Sequence, residues 1–317
     1  MRTITALFVG LGSIGTRHLK NLANLCADRG WTLQADALRS DLTRPLRPGA
    51  AELLHAQYTD LAAAPAHYDM VFITNPTSLH AEALRQVKGR GEALFIEKPI
   101  FSAEQTGLAL DELLPAGQKA YVAAPMRWCG AMLALKDRLP ALHPYCARVI
   151  CSSYLPDWRP GVDYRTVYSA RKALGGGVTI DLIHEWDYLV ELFGVPEKLY
   201  NFKGTYSELE IDSDDLSVYI AKYPTLLAEV HLDYFGRGYR RSIELFCHDG
   251  SYLADFGKGT LTLPDGTVQH YEEDVNRRYE REMEYFVDYA LTGCGESCNP
   301  PALALKVLKL TLGENVQ

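Results

Sequence analysis

Hydrophobic and polar residues follow two different patterns in the two parts of the chain. In the first part, short apolar runs such as Thr3–Val9 and residues 70–74 alternate with stretches whose apolar residues recur every three or four positions. This βα alternation predicts an α/β fold with a parallel, doubly wound sheet. Further strands are predicted at 33–38, 93–96 and 120–123, with helices over 79–87 and 103–114.

The pattern changes after residue 124. From there, runs in which apolar and polar residues alternate are joined by turns such as 248–250 and 264–266, each of which ends in Asp-Gly. This predicts a mostly antiparallel sheet with helices on one side and an open face suited to an oligomer interface. Its strands are expected at 148–154, 216–223, 227–235, 241–248, 251–256, 260–263 and 268–271, and helices at 131–139, 279–291 and 301–312.

The two patterns predict two domains. The first is a dinucleotide-binding domain over residues 1–124, and the second is a substrate-binding and oligomerisation domain over residues 125–317. The C-terminal helix of the second domain is long enough to pack back on the first. A chain of 317 residues is consistent with two hydrophobic cores.

Composition excludes several classes of protein. A net charge of -8 without any basic block argues against a nucleic-acid partner. No apolar run reaches the roughly 18 residues that a membrane span needs, and no signal peptide is recognised. The seven cysteines are scattered, which favours free thiols in a reducing cytoplasm over a disulfide framework. Cys294 and Cys298 form the one close pair, and without a second pair no metal site is expected.

A glycine motif lies between the first strand and the first helix. Gly10, Gly12 and Gly15 are spaced as GxGxxG, and apolar residues recur at helical spacing after them. In a Rossmann fold these glycines allow a tight turn, close approach of a pyrophosphate and packing of the helix on the strand. Ser13 and Ile14 complete the turn. The motif predicts a dinucleotide site; a purely structural turn is the alternative.

The end of the second strand bears on the choice of dinucleotide. Asp36 has about the spacing of the acid that binds the ribose of NAD, but it falls inside the strand. Arg39 and Ser40 follow the strand instead, and their guanidinium and hydroxyl suit a 2′-phosphate. NADP is therefore favoured over NAD. If Arg39 only stacks on adenine, either cofactor would be served.

Two further strand ends are expected to line the cofactor. Thr74, Asn75 and Pro76 follow one buried strand, and His80 either faces the nicotinamide or closes the first turn of the next helix. Another strand ends in Glu97 and Lys98, followed by proline. A charged lysine at the mouth of a buried strand is costly unless it has a chemical role.

Two stretches of the second domain point to a substrate. A loop over residues 155–165 is rich in aromatic and charged groups that suit a sugar ring and its hydroxyls. Asp181 and His184 follow three glycines, and their spacing places them on one face of a helix, where a carboxylate can orient a histidine for proton transfer. A solvated helix face is the alternative. The substrate candidates are Arg127, Trp158, Arg159, Tyr164 and Arg165.

The chain resembles the glucose–fructose oxidoreductase/inositol dehydrogenase (Gfo/Idh/MocA) family over nearly its whole length. The motifs that carry the resemblance are the glycine turn with Thr16-Arg17-His18, residues 75–80, Glu97-Lys98-Pro99 and the three glycines with Asp181 and His184. The stretches 154–158, 163–165 and 184–188 are similar to a branch associated with surface-polysaccharide and unusual-sugar biosynthesis.

This resemblance implies a Rossmann domain, an open-faced sheet that forms dimers or tetramers, and hydride transfer between nicotinamide and a sugar or cyclitol carbon. It also implies that Lys98 contacts substrate and cofactor. Many members separate the acid and the histidine by four positions, whereas Asp181 and His184 are three apart, which rotates one side chain by about 100°.

The expected function is an NAD(P)-dependent oxidoreductase that acts on a hydroxyl or ketone of a free or nucleotide-linked sugar. Lys98 would stabilise the reacting oxygen, and His184, steered by Asp181, would exchange the proton. Two alternatives are an NAD-dependent glycosidase that oxidises, eliminates and re-reduces, and a redox-silent NADP- and sugar-binding sensor.

Overall fold

The computed structural model describes residues 2–316, and the chain divides into two compact units. The first unit comprises Met1–Ala123 and Tyr279–Leu305, and the second comprises Ala124–Arg278 and Lys306–Gln317. Each unit is therefore built from two separate stretches of chain. The domain boundary predicted after residue 124 lies one residue beyond the point where the chain first passes from one unit to the other. Residues 279–305 were predicted in the second domain, whereas they belong to the first unit.

The first unit contains a six-stranded parallel sheet. The strand order is β3-β2-β1-β4-β5-β6, which is the order of a dinucleotide-binding Rossmann sheet. The order reverses between β1 and β4, and ligands bind at such a switch point, outside the carboxyl ends of the strands. The strands are β1 (Thr3–Val9), β2 (Thr32–Leu38), β3 (Leu54–Tyr58), β4 (Tyr68–Ile73), β5 (Gly91–Ile96) and β6 (Lys119–Val122).

Three helices accompany this sheet before the first crossing: α1 (Ser13–Asp28), α2 (His80–Gln86) and the single-turn α3 (Leu110–Leu113). The helix predicted over 103–114 is wrong. Residues 103–105 form a 3-10 turn that Ser102 and Gln105 close as a capping box, and Gly107 follows it. Glycine costs about 1 kcal/mol in a helix interior, so the segment does not continue as one helix.

The second unit contains an eight-stranded sheet in the order β14-β13-β12-β11-β7-β10-β9-β8. Every neighbouring pair is antiparallel except β7 with β10, which confirms the predicted, mostly antiparallel sheet. The strands are β7 (Cys146–Tyr154), β8 (Lys198–Gly204), β9 (Leu216–Lys222), β10 (Leu227–Asp233), β11 (Phe235–Cys247), β12 (Gly250–Asp255), β13 (Thr260–Thr262) and β14 (Val268–His270).

Burial alternates along the central strands of this sheet. In β10, Ala228, Val230 and Leu232 are buried, while Glu229 and His231 on the opposite face are only half-buried. The edge strand β8 was missed because its aromatic residues lie on the exposed face, so its pattern lacks the signal of a buried strand. Strand β3, at the edge of the first sheet, was not among the predicted strands, and none of its residues is buried.

The remaining helices of the second unit are α4 (Gly130–Arg138), α5 (Val178–Asp181) and α6 (His184–Phe193). They are followed by α7 (Asn276–Thr292) and α8 (Pro301–Thr311), close to their predicted bounds. Within the first unit, Phe286 of α7 meets the rings of Phe72 and Phe95 edge-on at 5.4 and 5.1 Å. Each such pair contributes about 0.5–1.5 kcal/mol beyond its buried area. Among residues 2–316, no helix is long and apolar enough to cross a membrane.

Candidate functional site

The glycine turn joins β1 to α1 and packs against the end of β4. Gly10 has a φ of +88°, and a Cβ at this position would lie 2.8 Å from the Cα of Asn75. A Cβ at Gly15 would lie 2.6 Å from the carbonyl oxygen of Gly10 and 2.7 Å from the Thr74 hydroxyl. Two of the three motif glycines are therefore required by the packing of the protein itself.

Gly12 differs from the other two glycines. Its φ of -72° is open to any residue, and a Cβ built there meets no heavy atom within 4 Å. Gly12 is the N-cap of α1, and no side chain of the described residues caps this helix end. An uncapped helix N-terminus with an approachable backbone is the arrangement that binds a pyrophosphate. Ser13 and Ile14, the first two helical residues, lie at this end as predicted.

The turn after β4 lies beside the glycine turn. The Thr74 hydroxyl donates a hydrogen bond to the carbonyl oxygen of Gly10 at 2.6 Å. Asn75 donates from its side chain to the carbonyl oxygen of Leu79 at 3.4 Å, whereas its buried Oδ1 has no hydrogen-bond partner among residues 2–316. Exposed Pro76 follows. A buried acceptor without a partner beside the switch point fits a ligand that carries hydrogen-bond donors, as a dinucleotide does.

His80, which was predicted either to face the nicotinamide or to close the first turn of the next helix, is enclosed within the protein. The ring is buried, Nε2 lies 3.0 Å from the carbonyl oxygen of Asn75, and Nδ1 lies 3.1 Å from that of Ile100. Burial lowers the pKa of this histidine. Because the ring lies between these two carbonyl groups, it bridges the turn after β4 and the turn after β5.

Glu97 and Lys98 follow β5, next to the turn after β4. Glu97 is buried, and its Oε1 lies 2.6 Å from Nε2 of His18. Burial would raise the pKa of the Glu97 carboxyl, but the hydrogen bond and charge of His18, together with Lys98, hold it below its ordinary value. The second oxygen, Oε2, accepts the backbone N–H of Lys98 at 3.0 Å. Lys98 itself is half-buried.

His18 ends the glycine motif of the sequence, but no role in the site was predicted for it. It lies on α1, three residues after Gly15, and its side chain is fully buried. Positions three apart on a helix share a face, so a histidine at this spacing faces the same way as the motif glycine. That spacing could have indicated that His18 faces the site. It could not have indicated the partner, because Glu97 is distant in sequence.

The end of β2 supports part of the cofactor prediction. Asp36 is buried, accepts the hydroxyl of Tyr68 at 2.8 Å and lies 3.1 Å from Nδ1 of His55, so it is not an exposed acid at the strand end. Arg39 donates from Nη1 to Oε1 of Gln57 at 2.8 Å. Arg39 lines a cavity of about 390 Å³ together with two other arginines, Arg44 and Arg47. Ser40 is exposed beside it.

In the second unit, Asp181 and His184 do not share one helix, and the predicted common face is wrong. α5 ends at Asp181 and α6 begins at His184. Oδ2 of Asp181 accepts the hydroxyl of Tyr234 at 2.5 Å. Burial, followed by the nearby carboxylate, raises the pKa of Tyr234 well above its ordinary value. Tyr234 is thus a partner of Asp181 that the sequence did not indicate. His184 is half-buried at the start of α6.

The glycine turn before α5 explains why this segment adopts a fixed position. Gly177 has a φ of +133°, and a Cβ there would lie 2.4 Å from Oδ1 of Asp214. The other oxygen of Asp214 accepts the backbone N–H of Thr179 at 2.9 Å, within the first turn of α5. The missing side chain at Gly177 therefore lets an acidic residue bind the start of the helix, where the helix dipole favours negative charge.

Arg127 has a structural role rather than the predicted contact with substrate. Its side chain is buried and donates from Nε and Nη2 to the two oxygens of Asp187 at 2.9 and 2.8 Å. It also donates from Nη1 to Glu191 at 2.6 Å. Two carboxylates of α6 therefore occupy this guanidinium. Removing one partner of such a buried ion pair strongly destabilises a protein, because the other charge is left buried and unpaired.

The other substrate candidates lie in a loop built from short 3-10 turns. Trp158 donates from its indole nitrogen to the hydroxyl of Ser153 at 3.1 Å, and its ring meets that of Tyr234 edge-on at 5.2 Å. Arg165 is exposed and paired with Asp163 and Glu210. Tyr164 accepts a backbone N–H at 3.2 Å, and Arg159 is exposed. The structure thus links Trp158 to the Asp181–Tyr234 pair, whereas the guanidinium of Arg165 is held by two acidic side chains.

The chain is similar to known proteins in sequence and in fold. Residues 4–123 match a family described as "Oxidoreductase family, NAD-binding Rossmann fold". The uncharacterised oxidoreductase YrbE of Bacillus subtilis (strain 168) is 24% identical over 308 residues, covering 90% of this chain and 86% of YrbE. Inositol 2-dehydrogenase of Rhizobium meliloti (strain 1021) is 26% identical over 200 residues, covering 61% of this chain and 56% of that protein. The structure of levoglucosan dehydrogenase in complex with NADH and levoglucosan matches with a TM-score of 0.80 and 16% sequence identity, covering 98% of this chain and 96% of that one.

The family match over residues 4–123 defines the class: this part of the chain is the NAD-binding Rossmann domain of an oxidoreductase. The model that these residues match is that of the Gfo/Idh/MocA family, so the resemblance predicted from the glycine turn and the Glu-Lys-Pro motif is confirmed for this part of the chain. The fold similarity extends over both units, because the match to the levoglucosan dehydrogenase structure covers nearly the whole chain.

Proposed function

We propose that the protein is an NAD(P)-dependent dehydrogenase or reductase that acts on a hydroxyl or ketone carbon of a sugar or cyclitol. The observation that carries this proposal is the placement of Lys98 beside the dinucleotide turns. Strand β5 pairs with β4 through Ile96 and Ile73, and β4 pairs with β1 through Ile73 and Val9. The residues that follow these three strands therefore lie at one edge of the sheet, where Lys98 is the cationic side chain after β5.

The proposed chemistry divides among a few side chains. A bound nicotinamide dinucleotide would supply or accept the hydride. The α1 N-terminus and Gly12 would hold its pyrophosphate, and Asn75 Oδ1 would accept a hydrogen bond from it. Lys98 would donate a hydrogen bond to the substrate oxygen whose charge changes during hydride transfer. Removing such a donor typically lowers the rate by a factor of about 100 to 1,000.

His184 is the proposed proton-exchange residue in the second unit. A histidine titrates near neutral pH and can take the proton of a hydroxyl or return it to a ketone. Asp181 accepts the hydroxyl of Tyr234, and the two-residue turn between α5 and α6 separates it from His184 in the chain, so the steering of His184 by Asp181 is proposed to depend on this turn. Trp158, packed on Tyr234, offers an apolar face of the kind that sugar rings bind.

The substrate class is inferred from the site and from the relatives. Inositol and levoglucosan, the compounds in the names of two similar proteins, are both polyhydroxylated rings. A loop that presents Trp158 and Tyr164 beside charged side chains suits such a ring, free or linked to a nucleotide. Seven free cysteines among the described residues favour action in a reducing compartment, the cytoplasm.

The test of this function is a screen for turnover. Purified protein is mixed with NADP or NAD and a panel of inositols, anhydrosugars, hexoses and nucleotide sugars, and the nicotinamide absorbance is followed. Net reduction of NADP or NAD is expected with at least one polyhydroxylated ring. Bound cofactor that copurifies and is never consumed, while a glycoside is cleaved, would replace this function with a glycosidase cycle. Dinucleotide binding without turnover of any ring would leave only a sensor.

We also propose that the preferred cofactor is NADP, because Arg39 and not an acid lies at the end of β2. The variant Arg39→Ala should weaken binding of NADPH about tenfold, which corresponds to about 1.4 kcal/mol, and leave binding of NADH almost unchanged. Titration of each dinucleotide by the quenching of protein fluorescence measures both constants. Arg85→Ala, at an exposed arginine of the same unit, is the matched control. An equal loss for both cofactors would show that Arg39 only stacks on adenine.

The open face of the second sheet is the proposed oligomer interface. On this face Tyr200 and Ile220 are neighbours across β8 and β9, and Phe202 lies beside them with 75% of its surface exposed. Three neighbouring apolar side chains on an exposed sheet face favour burial of that face against a second copy of the chain. Light scattering should give a mass of at least twice the 35.4 kDa of one chain, and a monomer would contradict the proposal.

A further inference from the structure

The turn that carries Lys98, residues 97–100, contacts one buried histidine at each of its ends. At its first residue, Oε1 of Glu97 lies 2.6 Å from Nε2 of His18. At its last residue, the carbonyl oxygen of Ile100 lies 3.1 Å from Nδ1 of His80. Lys98 therefore lies between two fixed points, one provided by α1 and the other by α2. The two histidines differ, because His18 is hydrogen-bonded to a carboxylate, whereas the nitrogens of His80 lie beside backbone carbonyl groups.

His18 is an unfavourable residue for its surroundings unless its Nε2 has a role. The ring is fully buried, 4.6 Å from the ring of Phe95 and 6.1 Å from that of Tyr279. Its Nδ1 finds no hydrogen-bond partner within the described part of the chain. A buried polar atom without a partner costs about 1–3 kcal/mol. A leucine would fill this aromatic pocket without that cost, so the hydrogen bond from Nε2 to Glu97 is the feature that distinguishes histidine here.

Glu97 transmits this contact to Lys98. Three ionisable side chains face its carboxylate: His18 from α1, His80 from α2 and Lys98 from the turn itself. Oε1 is held by His18, and Oε2 accepts the backbone N–H of Lys98 at 3.0 Å. An ionised carboxylate accepts a stronger hydrogen bond than a carboxylic acid does. The backbone at Lys98 is therefore fixed only while Glu97 stays in this position and ionised.

We propose that His18 is a positioning residue for Lys98: its Nε2–H holds the Glu97 carboxylate against the Lys98 backbone N–H and so sets the direction in which the lysine side chain leaves the strand. The proposal rests on the proposed function only through the role given to Lys98. His18 touches neither substrate nor cofactor in this account, and it acts through Glu97.

The amide signal of Lys98 reports on this contact directly. In protein labelled with ¹⁵N-lysine, the signal is assigned by its absence from Lys98→Arg. Its position is then followed from about pH 2 to about pH 9, a range that includes histidine titration and extends below ordinary carboxyl titration. The proteins compared are the wild type, Glu97→Gln, His18→Leu and His18→Gln. None of these measurements requires turnover, so they remain decisive whether or not a substrate is found.

In the wild type, the Lys98 signal should stay constant through neutral pH and change only in acid, when Glu97 takes up a proton. The transition should vanish in Glu97→Gln. In His18→Leu it should move up by about 2 pH units, because a buried carboxyl without its donor binds a proton more readily. His18→Gln should restore the transition to near its wild-type position, because the glutamine amide offers an N–H where Nε2 lay.

Either of two results would overturn the proposal. One is a transition in His18→Leu that coincides with that of the wild type, which would show that His18 only fills space. The other is a transition that persists in Glu97→Gln, which would show that a different group titrates. If His18→Leu does not fold, His18→Asn replaces it, because the shorter amide cannot reach Oε1 and should produce the same upward movement.

Discussion

Replacing Lys98 with alanine is expected to lower kcat about a thousandfold with the ring substrate found in the screen. The binding of the dinucleotide should change little. The reason lies in the separation of the groups. The pyrophosphate is expected at Gly12 and the N-terminus of α1, whereas Lys98 follows β5, two strands away in the sheet. A group that stabilises charge only while the hydride moves affects the rate and not the binding of the cofactor. Stopped-flow hydride transfer and a separate titration of dinucleotide measure the two effects.

Lys88→Ala is the matched control for this variant. Lys88 is an exposed lysine of the same unit, and its ammonium donates to a backbone carbonyl on the surface. Its removal should leave kcat and dinucleotide binding as in the wild type. If Lys98→Ala instead lost its cofactor and kept normal turnover when cofactor was added in excess, Lys98 would be a cofactor ligand only. The proposed function of the turn after β5 would then be wrong.

The cofactor end of the site was predictable because its signals are local. Gly10, Gly12 and Gly15 lie within six residues, between an apolar strand and an amphipathic helix, and the fold follows from their order. Thr74 and Lys98 were found for the same reason, since each follows a buried strand of a parallel sheet. Residues that follow such strands meet at one edge, whatever their distance in sequence.

The partners of these residues could not be predicted, because each pairing joins distant parts of the chain. His18 meets Glu97 across 79 positions, and Tyr234 meets Asp181 across 53. A sequence pattern gives the face of a helix but not the residue that packs against it. The same limit explains the error at Arg127, a predicted substrate residue whose guanidinium two carboxylates of α6 already bind.

The error at Asp181 and His184 has a different cause. Their spacing of three fits one helical face, provided that the helix is continuous. In the structure Leu182 departs from helical geometry, with a φ of -98° and a ψ of 32°, and the helix restarts at His184. No glycine or proline marks this break in the sequence. The short spacing, compared with that in many family members, therefore accompanies a change of backbone and not only a rotation of one side chain.

Replacing Gly12 with alanine is expected to weaken dinucleotide binding about a hundredfold while the free energy of unfolding falls by no more than about 1 kcal/mol, the cost of alanine at an N-cap. The backbone at Gly12 is already open to alanine, and the added Cβ meets no protein atom within 4 Å. The protein therefore has no structural need for glycine here. What the methyl group obstructs is the approach of a pyrophosphate to the helix N-terminus. Loss of hydrogen bonds to a charged group costs about 1.5–3 kcal/mol, and 2.7 kcal/mol corresponds to a hundredfold change in Kd.

Two other glycines make this result interpretable. Gly10→Ala should lower the free energy of unfolding, because its Cβ would lie 2.8 Å from the backbone of Asn75 at a φ that disfavours any side chain. Gly107→Ala, in a loop of the same unit where a Cβ also meets nothing, should change neither stability nor binding. Chemical denaturation and fluorescence titration of the three variants separate the two requirements. If Gly12→Ala bound the dinucleotide as tightly as Gly107→Ala, the pyrophosphate would not lie at this helix end, since a methyl group there would obstruct it.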